Sequence, residues 1–134
     1  MNDYRIIELP KIVDPRGNLS FIEENSPLPF KIARSYWIYD VPGGETRGGH
    51  AYRELQEFIV ALSGSFDVVL DDGVTKNIIS LNRSYRGVYI LKMMWRSLEN
   101  FSTNSLALVL SDNPYDEKDY IRDYDSYLKI KNKN

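Results

Sequence analysis

The sequence contains no cysteine and only one histidine, His50. Without cysteine the chain can form neither a disulfide bond nor a thiolate metal site, and it has no cysteine nucleophile. One histidine also excludes a multi-histidine metal centre within a single chain. No run of 18 apolar residues is present, so no transmembrane helix is expected. The first residues lack the basic region and apolar core of a secretory signal, which favours a cytoplasmic location.

The chain also lacks an excess of positive charge. Its 134 residues include 17 Lys and Arg against 19 Asp and Glu, which gives a formal net charge of −2 and a pI near 5.4. General nucleic-acid binding needs a basic surface, so it is not expected. Apolar residues make up 43% and aromatic residues 13% of the chain, enough to bury a core. We expect a single domain spanning residues 1–134.

The central stretch, residues 43–73, predicts a β-meander. Two apolar runs, residues 58–62 and 66–70, flank Gly64 and Ser65, and a turn of sequence Asp-Asp-Gly follows. An Asp-Gly pair after an apolar run is a strong hairpin signal. The glycine-rich loop 41–49 precedes this meander, so His50 and Tyr52 are expected where a loop feeds a strand.

The remaining chain continues the β pattern and then changes. Further strands are expected at residues 4–9, 19–24, 31–40, 75–81, 87–92 and 106–110. Tyrosines and Leu128 at helical spacing, after acidic residues, predict a C-terminal helix over residues 116–130. Many short strands with regular turns and one helix indicate an all-β barrel or sandwich of the jelly-roll type.

Several side chains could carry chemistry in such a barrel. The ordinary pKa of histidine, about 6.5, makes His50 the natural base at neutral pH, although it could instead be a structural histidine at a strand start. Tyr36, Tyr39 and Tyr52 could carry protons or stack on a ligand, or they could fill the barrel wall.

Charged residues offer a second set of candidates. Arg16, Arg47 and Arg96 could bind a phosphate through their forked donors, or they could be solvated surface charges. Glu54 and Glu57 follow His50 closely, and either could orient its imidazole ring; Glu54 could equally be plain surface.

Blocks of the sequence, in this order, resemble the bacterial sugar-nucleotide 3,4-ketoisomerases. They cover nearly the whole chain: IVDPRG (12–17), IEEN (22–25), PF (29–30), RSYWIYD (34–40), RGGHA (47–51), LDDG (70–73), Trp95 with NFS (100–102), and YDEKDYIRDYD (115–125). Members of this family are small cupins, which are jelly-roll barrels. The resemblance therefore implies a cupin barrel with a C-terminal helix.

The resemblance implies a defined reaction. The family converts dTDP-4-oxo-6-deoxyglucose to a 3-keto-6-deoxyhexose without a metal or redox cofactor: a proton leaves C3, an enediol forms and a proton is returned at C4. The product leads to 3-amino-3,6-dideoxy sugars of surface glycans such as lipopolysaccharide and S-layer glycans. Family members are homodimers that exchange N-terminal strands, so the expected partners are the sugar nucleotide and a second copy.

The resemblance also assigns roles to residues. His50 matches the first histidine of a family His-x-His and is expected to be the base, while Tyr52 replaces the second, which is thought to shuttle protons. Tyr36 matches an active-site tyrosine. Arg16 matches the branch that makes galacto products and Arg96 the branch that makes gluco products, so the configuration stays open.

Further substrate contacts and two alternatives complete these expectations. Arg47 is expected to help hold the diphosphate, and Glu57 is grouped with the substrate-binding residues. The spacing Gly-x5-His-x-Tyr-x4-Glu-x6-Gly keeps the cupin pattern without its second histidine, so no metal is expected. The change at Tyr52 leaves two alternatives: an epimerase-like enzyme or a non-catalytic cupin that binds the sugar nucleotide.

Overall fold

The computed structural model describes residues 3–133, which form two five-stranded β-sheets, one two-stranded hairpin and one α-helix. The strands are β1 (Tyr4–Glu8), β2 (Lys11–Ile12), β3 (Leu19–Ser20), β4 (Arg34–Ile38), β5 (Arg47–Tyr52), β6 (Glu57–Ser63), β7 (Phe66–Asp71), β8 (Lys76–Leu81), β9 (Arg86–Ile90), β10 (Trp95–Glu99), β11 (Leu106–Ser111) and β12 (Tyr120–Ile121). Helix α1 spans Tyr124–Lys133. No helix in this described part is long and apolar enough to span a bilayer.

The two five-stranded sheets pack face to face. One has the strand order β1-β9-β6-β11-β4 and the other β12-β5-β10-β7-β8, and all of their pairings are antiparallel. Ile59 and Val109 from the first sheet meet Val68 and Leu98 from the second in one fully buried apolar cluster. The prediction of an all-β jelly-roll architecture with a C-terminal helix is therefore confirmed.

The meander predicted from the turn residues is present. Gly64 joins β6 to β7 with φ +67°, and an added Cβ there would lie 2.8 Å from the Cα atom of Ser105. Between β7 and β8, the Asp72 carboxylate accepts hydrogen bonds from the backbone N–H groups of Val74 and Thr75 at 2.8 and 2.7 Å. The turn chemistry thus fixes the register of both hairpins.

The predicted start of the C-terminal helix at residue 116 is wrong. Asp116 caps only a single 3₁₀ turn, Glu117–Asp119, and the chain then forms β12 beside β5. The α-helix begins only at Tyr124, directly after Asp123, whose carboxylate accepts from the backbone N–H of Ser126 at 3.0 Å. Asp116 and Asp123 are both suitable N-cap residues for a helix. The chain after Asp116 pairs with β5 as β12 instead, so the α-helix forms only after Asp123.

The glycine-rich loop is shorter than predicted, because β5 already begins at Arg47. His50 therefore lies inside a strand and not at its entrance. The strand predicted over 19–24 is also wrong beyond Ser20, because Glu23 and Ser26 exchange backbone hydrogen bonds in a tight turn. Strands β2 and β3 form a separate hairpin, which we call the N-terminal arm (residues 11–21). It exposes apolar side chains: Ile12, Val13, Leu19 and Phe21.

Candidate active site

A cavity of about 530 Å³ opens beside the two sheets. Strand β4 belongs to the first sheet, and strands β5, β10 and β12 belong to the second. All four contribute to the wall, together with Arg122. The wall includes Tyr36, Arg47, His50, Arg96 and Tyr120. Its position lets side chains from four separate segments of the chain face one ligand.

His50 is held inside this wall. It lies on β5 directly opposite Arg96 of β10, and the residue is only 6% exposed. Its Nε2 atom is buried and has no hydrogen-bond partner among residues 3–133. Leaving a buried polar atom unpaired is unfavourable, so such an atom at a cavity is a candidate for contact with a ligand.

The electrostatic surroundings keep His50 neutral. Burial is the main cause that lowers its pKa, to about 2, and the charges of Arg96 and Arg122 lower it further, against a smaller opposing effect of Glu117. The imidazole is therefore uncharged throughout the physiological pH range. A neutral imidazole can accept a proton, which an imidazolium cannot.

Arg96 is the most completely buried large side chain at the site. Its guanidinium donates to both carboxylate oxygens of Glu57 at 2.7 and 2.9 Å, to the Gly48 carbonyl at 3.0 Å and to the Tyr36 hydroxyl at 3.0 Å. Four of its five N–H groups are thus engaged. Burial alone lowers the pKa of Arg96, but the Glu57 carboxylate outweighs this and raises it, so the charge is retained.

Gly48 makes room for this guanidinium. The pairing of β5 with β10 advances two residues on β10, from Arg96 to Leu98, but three on β5, from His50 to Arg47. The extra residue is a β-bulge, and Gly48 adopts φ +70° there. An added Cβ would lie 2.2 Å from Nη1 of Arg96. Glycine is therefore needed at this position for both the backbone angle and the space.

A cluster of aromatic rings surrounds His50. The Tyr52 ring lies 4.7 Å from the imidazole, edge to face, and the Tyr120 ring lies 4.9 Å from it, both measured between centroids. The Tyr52 hydroxyl donates to the Tyr120 hydroxyl at 3.5 Å. Burial and the Glu57 carboxylate raise the pKa of Tyr52 far above its ordinary value. Tyr52 is therefore a protonated phenol and a poor base.

Arginines at the rim make the cavity attractive to anions. The Arg34 guanidinium stacks over the Tyr36 ring at 4.6 Å, and the Arg122 guanidinium over the Tyr120 ring at 4.1 Å. Arg122 also pairs with Glu117 at 2.7 and 2.8 Å. These contacts hold two planar cations at fixed positions on the cavity wall, beside Arg47.

The structure brings four of the seven predicted site residues to the cavity wall and places three elsewhere. Tyr36, Arg47, His50 and Arg96 line the cavity. Tyr52 and Glu57 lie behind the wall, where Tyr52 contacts His50 and Glu57 contacts Arg96. Arg16 is on the N-terminal arm, where its side chain is 91% exposed and pairs with Asp14 at 2.9 Å.

Wall residues that were not among the predicted site residues include Arg34, Tyr120 and Arg122. Arg34 carried a usable signal, since it alternates with Tyr36 and Ile38 on one face of β4. Tyr120 and Arg122 were assigned to a helix, which hid the pairing of Tyr120 with β5 and the position of Arg122 directly after β12. Glu54, the second acidic neighbour considered for His50, makes an exposed ion pair with Lys92 instead.

The wall residues do not fit a metal ion. Within residues 3–133 no cluster of three or more histidine, aspartate and glutamate side chains could hold one. The groups beside His50 are the guanidinium of Arg96 and the rings of Tyr52 and Tyr120, none of which is a good ligand next to a cationic neighbour.

The two-sheet barrel with a histidine-containing cavity defines a cupin-like jelly-roll protein. A family model described as "FdtA: WxcM-like, C-terminal" matches residues 2–132, so the chain belongs to this family. A TDP-4-oxo-6-deoxy-alpha-D-glucose-3,4-oxoisomerase from Aneurinibacillus thermoaerophilus is 42% identical over 125 residues, which are 93% of this chain and 90% of the relative.

Solved structures give the same result. A 3,4-ketoisomerase from Helicobacter canadensis is 42% identical with a TM-score of 0.94, covering 97% of this chain and 98% of that one. QdtA from Thermoanaerobacterium thermosaccharolyticum, solved as a histidine-to-asparagine variant with TDP-4-keto-6-deoxyglucose, is 34% identical with a TM-score of 0.97, covering 100% and 97%. The predicted family of sugar-nucleotide 3,4-ketoisomerases is confirmed, and neither alternative, epimerase-like or non-catalytic, is supported.

Proposed function

We propose that this chain isomerises dTDP-4-oxo-6-deoxyglucose to the 3-keto-6-deoxyhexose nucleotide, with His50 removing the proton from C3. The observation that carries the proposal is the buried, unpaired Nε2 atom of a neutral His50 on the wall of an arginine-rich cavity. A proton next to a ketone is acidic enough for one well-placed base to remove. The relatives named above act on this class of substrate.

The enediolate that forms needs donors near its oxygens, and the wall supplies them. The Tyr36 hydroxyl accepts an N–H from Arg96, which leaves its own proton free to be donated into the cavity. Arg96 adds a fixed positive charge that Glu57 holds in place. Such preorganised groups stabilise charge that develops in the transition state. Glu57 is then a positioning residue that acts through Arg96, and the substrate-binding role goes to the wall residues.

The rim fits the nucleotide part of the substrate. Arg34, Arg47 and Arg122 present guanidinium groups for the diphosphate. Trp37 and Tyr39 also line the cavity, and they are 58% and 62% exposed. Exposed aromatic side chains of this kind can stack on a nucleobase. The base and diphosphate would thus be bound at the rim while the sugar reaches His50.

A homodimer is part of the proposal. The N-terminal arm exposes four large apolar side chains, and β4 is an edge strand of its sheet. A second copy covering both would remove apolar surface from water and protect the edge. Arg16 would then reach the partner's cavity, where it could influence the product configuration. Sedimentation equilibrium tests this, and a monomer at micromolar concentration would contradict it.

The cell context follows from the substrate. A nucleotide-activated sugar and a chain without cysteine are consistent with work in the cytoplasm. The 3-keto product is suited to amination, in a route to 3-amino-3,6-dideoxy sugars of surface glycans.

Proton NMR of dTDP-4-oxo-6-deoxyglucose with the pure protein in deuterated water tests the reaction. The expected result is a 3-keto product with deuterium at C4, and its coupling pattern reports the configuration. Binding of the nucleotide without product or exchange at C3 would refute the proposal in favour of a binding protein.

A His50→Asn variant tests the role of the base. We expect turnover to fall by about 10²–10⁴-fold, the usual contribution of a general base, because no other wall residue is a neutral imidazole. Circular dichroism and the melting temperature at pH 8 serve as controls for folding. Turnover that stays near the wild-type rate would remove His50 from the mechanism.

A further inference from the structure

Returning a proton to C4 requires a donor, and the residue expected for this task does not line the cavity. Tyr52 occupies the sequence position of the proton shuttle, yet it is only 4% exposed and lies behind the wall. Its hydroxyl points to the Tyr120 hydroxyl, to which it donates. Tyr120, by contrast, lines the cavity itself. Tyr52 therefore holds the shuttle position in the sequence, whereas Tyr120 is the tyrosine that lies on the cavity wall.

Tyr120 is held firmly at this place. It pairs with Tyr52 across β12 and β5. The preceding residue, Asp119, accepts hydrogen bonds from the backbone N–H groups of Glu54 and Leu55 at 2.8 and 3.1 Å, and its carbonyl accepts from Arg53 at 2.9 Å. These hydrogen bonds connect the 3₁₀ turn, Glu117–Asp119, to residues 53–55, which directly follow β5. A proton donor needs this kind of fixed position to act in the transition state.

The hydrogen bonding and charge around Tyr120 suit a donor. Its hydroxyl lies 3.5 Å from that of Tyr52, at the long end of the hydrogen-bond range, so its hydrogen is free to turn towards another acceptor in the cavity. The Arg122 guanidinium lies 4.1 Å above the ring, and a cation there stabilises the phenolate left after donation. The His50 and Tyr120 rings are neighbours, with centroids 4.9 Å apart, so the path for returning a proton from the imidazolium to that phenolate is short.

We propose that Tyr120 is a catalytic residue of this enzyme, the acid that delivers the proton to C4. The proposal rests on the ketoisomerase function argued above and names the donor that this function leaves open. Tyr52 is then a positioning residue that orients the Tyr120 hydroxyl. The site would then combine a phenol, Tyr120, as the acid with an imidazole, His50, as the base.

The proton transfers balance. His50 takes the C3 proton, the C3–H electron pair forms the C3=C4 bond, and the carbonyl pair moves to O4. His50 passes that proton to O4, which gives a neutral enediol. His50 then removes the O3 proton and the C3=O bond forms, while the C3=C4 pair takes the hydroxyl proton of Tyr120 at C4. The imidazolium finally returns its proton to the phenolate of Tyr120.

A Tyr120→Phe variant separates the two half-reactions in deuterated water. Removal of the C3 proton by His50 is read as deuterium at C3 of recovered substrate, and delivery to C4 is read as 3-keto product. We expect product formation to fall by about 100-fold or more, within the usual contribution of a general acid, while exchange at C3 stays within about fivefold of wild type. A purely structural role would lower both rates together.

Two further variants make the test decisive. Tyr85→Phe removes the hydroxyl of another half-buried tyrosine, which packs in a separate apolar cluster and does not line the cavity, and it is expected to leave both rates unchanged. Tyr52→Phe is expected to slow product formation less than Tyr120→Phe does, because it only orients the donor. The proposal is overturned if Tyr120→Phe makes product at the wild-type rate, if both rates fall in parallel, or if Tyr52→Phe has the larger effect. Wild-type protein that makes no product would instead refute the ketoisomerase function itself.

Discussion

Two arginine–glutamate pairs lie at this cavity with nearly the same geometry and very different surroundings. Arg96 bonds Glu57 through Nε and Nη2 at 2.7 and 2.9 Å, and Arg122 bonds Glu117 through the same atoms at 2.7 and 2.8 Å. The side chains of the first pair are 1% and 2% exposed, and those of the second are 54% and 57% exposed. Distance alone therefore does not determine what an ion pair contributes.

The difference between the pairs is one of solvation. Water can replace either partner of the exposed pair, so its main effect is to hold Arg122 over Tyr120. No water replaces Glu57 in the buried pair, so Arg96 would be left as an uncompensated charge without it. Three experiments, in order of decreasing effect, test whether solvation determines what each pair contributes.

Glu57→Gln should have the largest effect on stability. We expect the free energy of unfolding to fall by about 3–5 kcal/mol, the usual result of removing one partner from a buried pair. Urea unfolding followed by tryptophan fluorescence measures it. A double variant, Glu57→Leu with Arg96→Met, should recover much of this stability but not turnover. A loss below about 1 kcal/mol for Glu57→Gln would show that the buried charge is solvated after all.

The pH dependence of stability should show an intermediate effect, because His50 lies near both guanidinium groups. Its pKa is about 2 in the folded chain and about 6.5 when unfolded, so the unfolded state takes up a proton first as the pH falls. Its contribution is fully present above pH 6.5 and is lost below it. Between about pH 8 and pH 5 the wild type should lose about 2 kcal/mol more than His50→Asn. Parallel curves for the two proteins would contradict the lowered pKa.

Glu117→Gln should have the smallest effect. The unfolding midpoint in urea should stay at the wild-type value, because the pair is exposed. Product formation should fall a few-fold, because Arg122 is less firmly held over Tyr120. Glu54→Gln, which breaks another exposed ion pair, the one with Lys92, is the matched control and should leave both quantities unchanged. A shift of the midpoint as large as that of Glu57→Gln would end the distinction between the two pairs.

The sequence predicted those parts of the fold that local chemistry determines. The hairpins around Gly64 and Gly73 are present because their turn residues specify them. The C-terminal helix was placed too early because Asp116 and Asp123 both have cap-like surroundings, and only the pairing of β12 with β5 distinguishes them. That pairing joins residues 68 positions apart, which no local pattern reveals.

The site was predictable where the family resemblance named a residue, and less so where depth in the barrel matters. His50, Tyr36 and Arg96 lie together at the cavity, and the roles assigned to them stay predictions. Tyr52 lies behind the wall because the ring of Tyr120 lies between it and the cavity. The pairing of β12 with β5 brings Tyr120 to that position, and the sequence did not indicate this pairing. Arg16 is exposed on the N-terminal arm and does not line the cavity, so its role stays a prediction.

The two tryptophans of the chain have different surroundings. Trp37 is largely exposed at the cavity, whereas Trp95 packs against Tyr124 and Tyr127 of α1 with ring centroids 5.2 and 5.6 Å away. An indole in water emits at longer wavelength than a shielded one. The fluorescence of Trp37 should therefore report binding at the cavity, and that of Trp95 should report the packing of α1. Replacing either tryptophan by phenylalanine would isolate the other signal without attaching a dye.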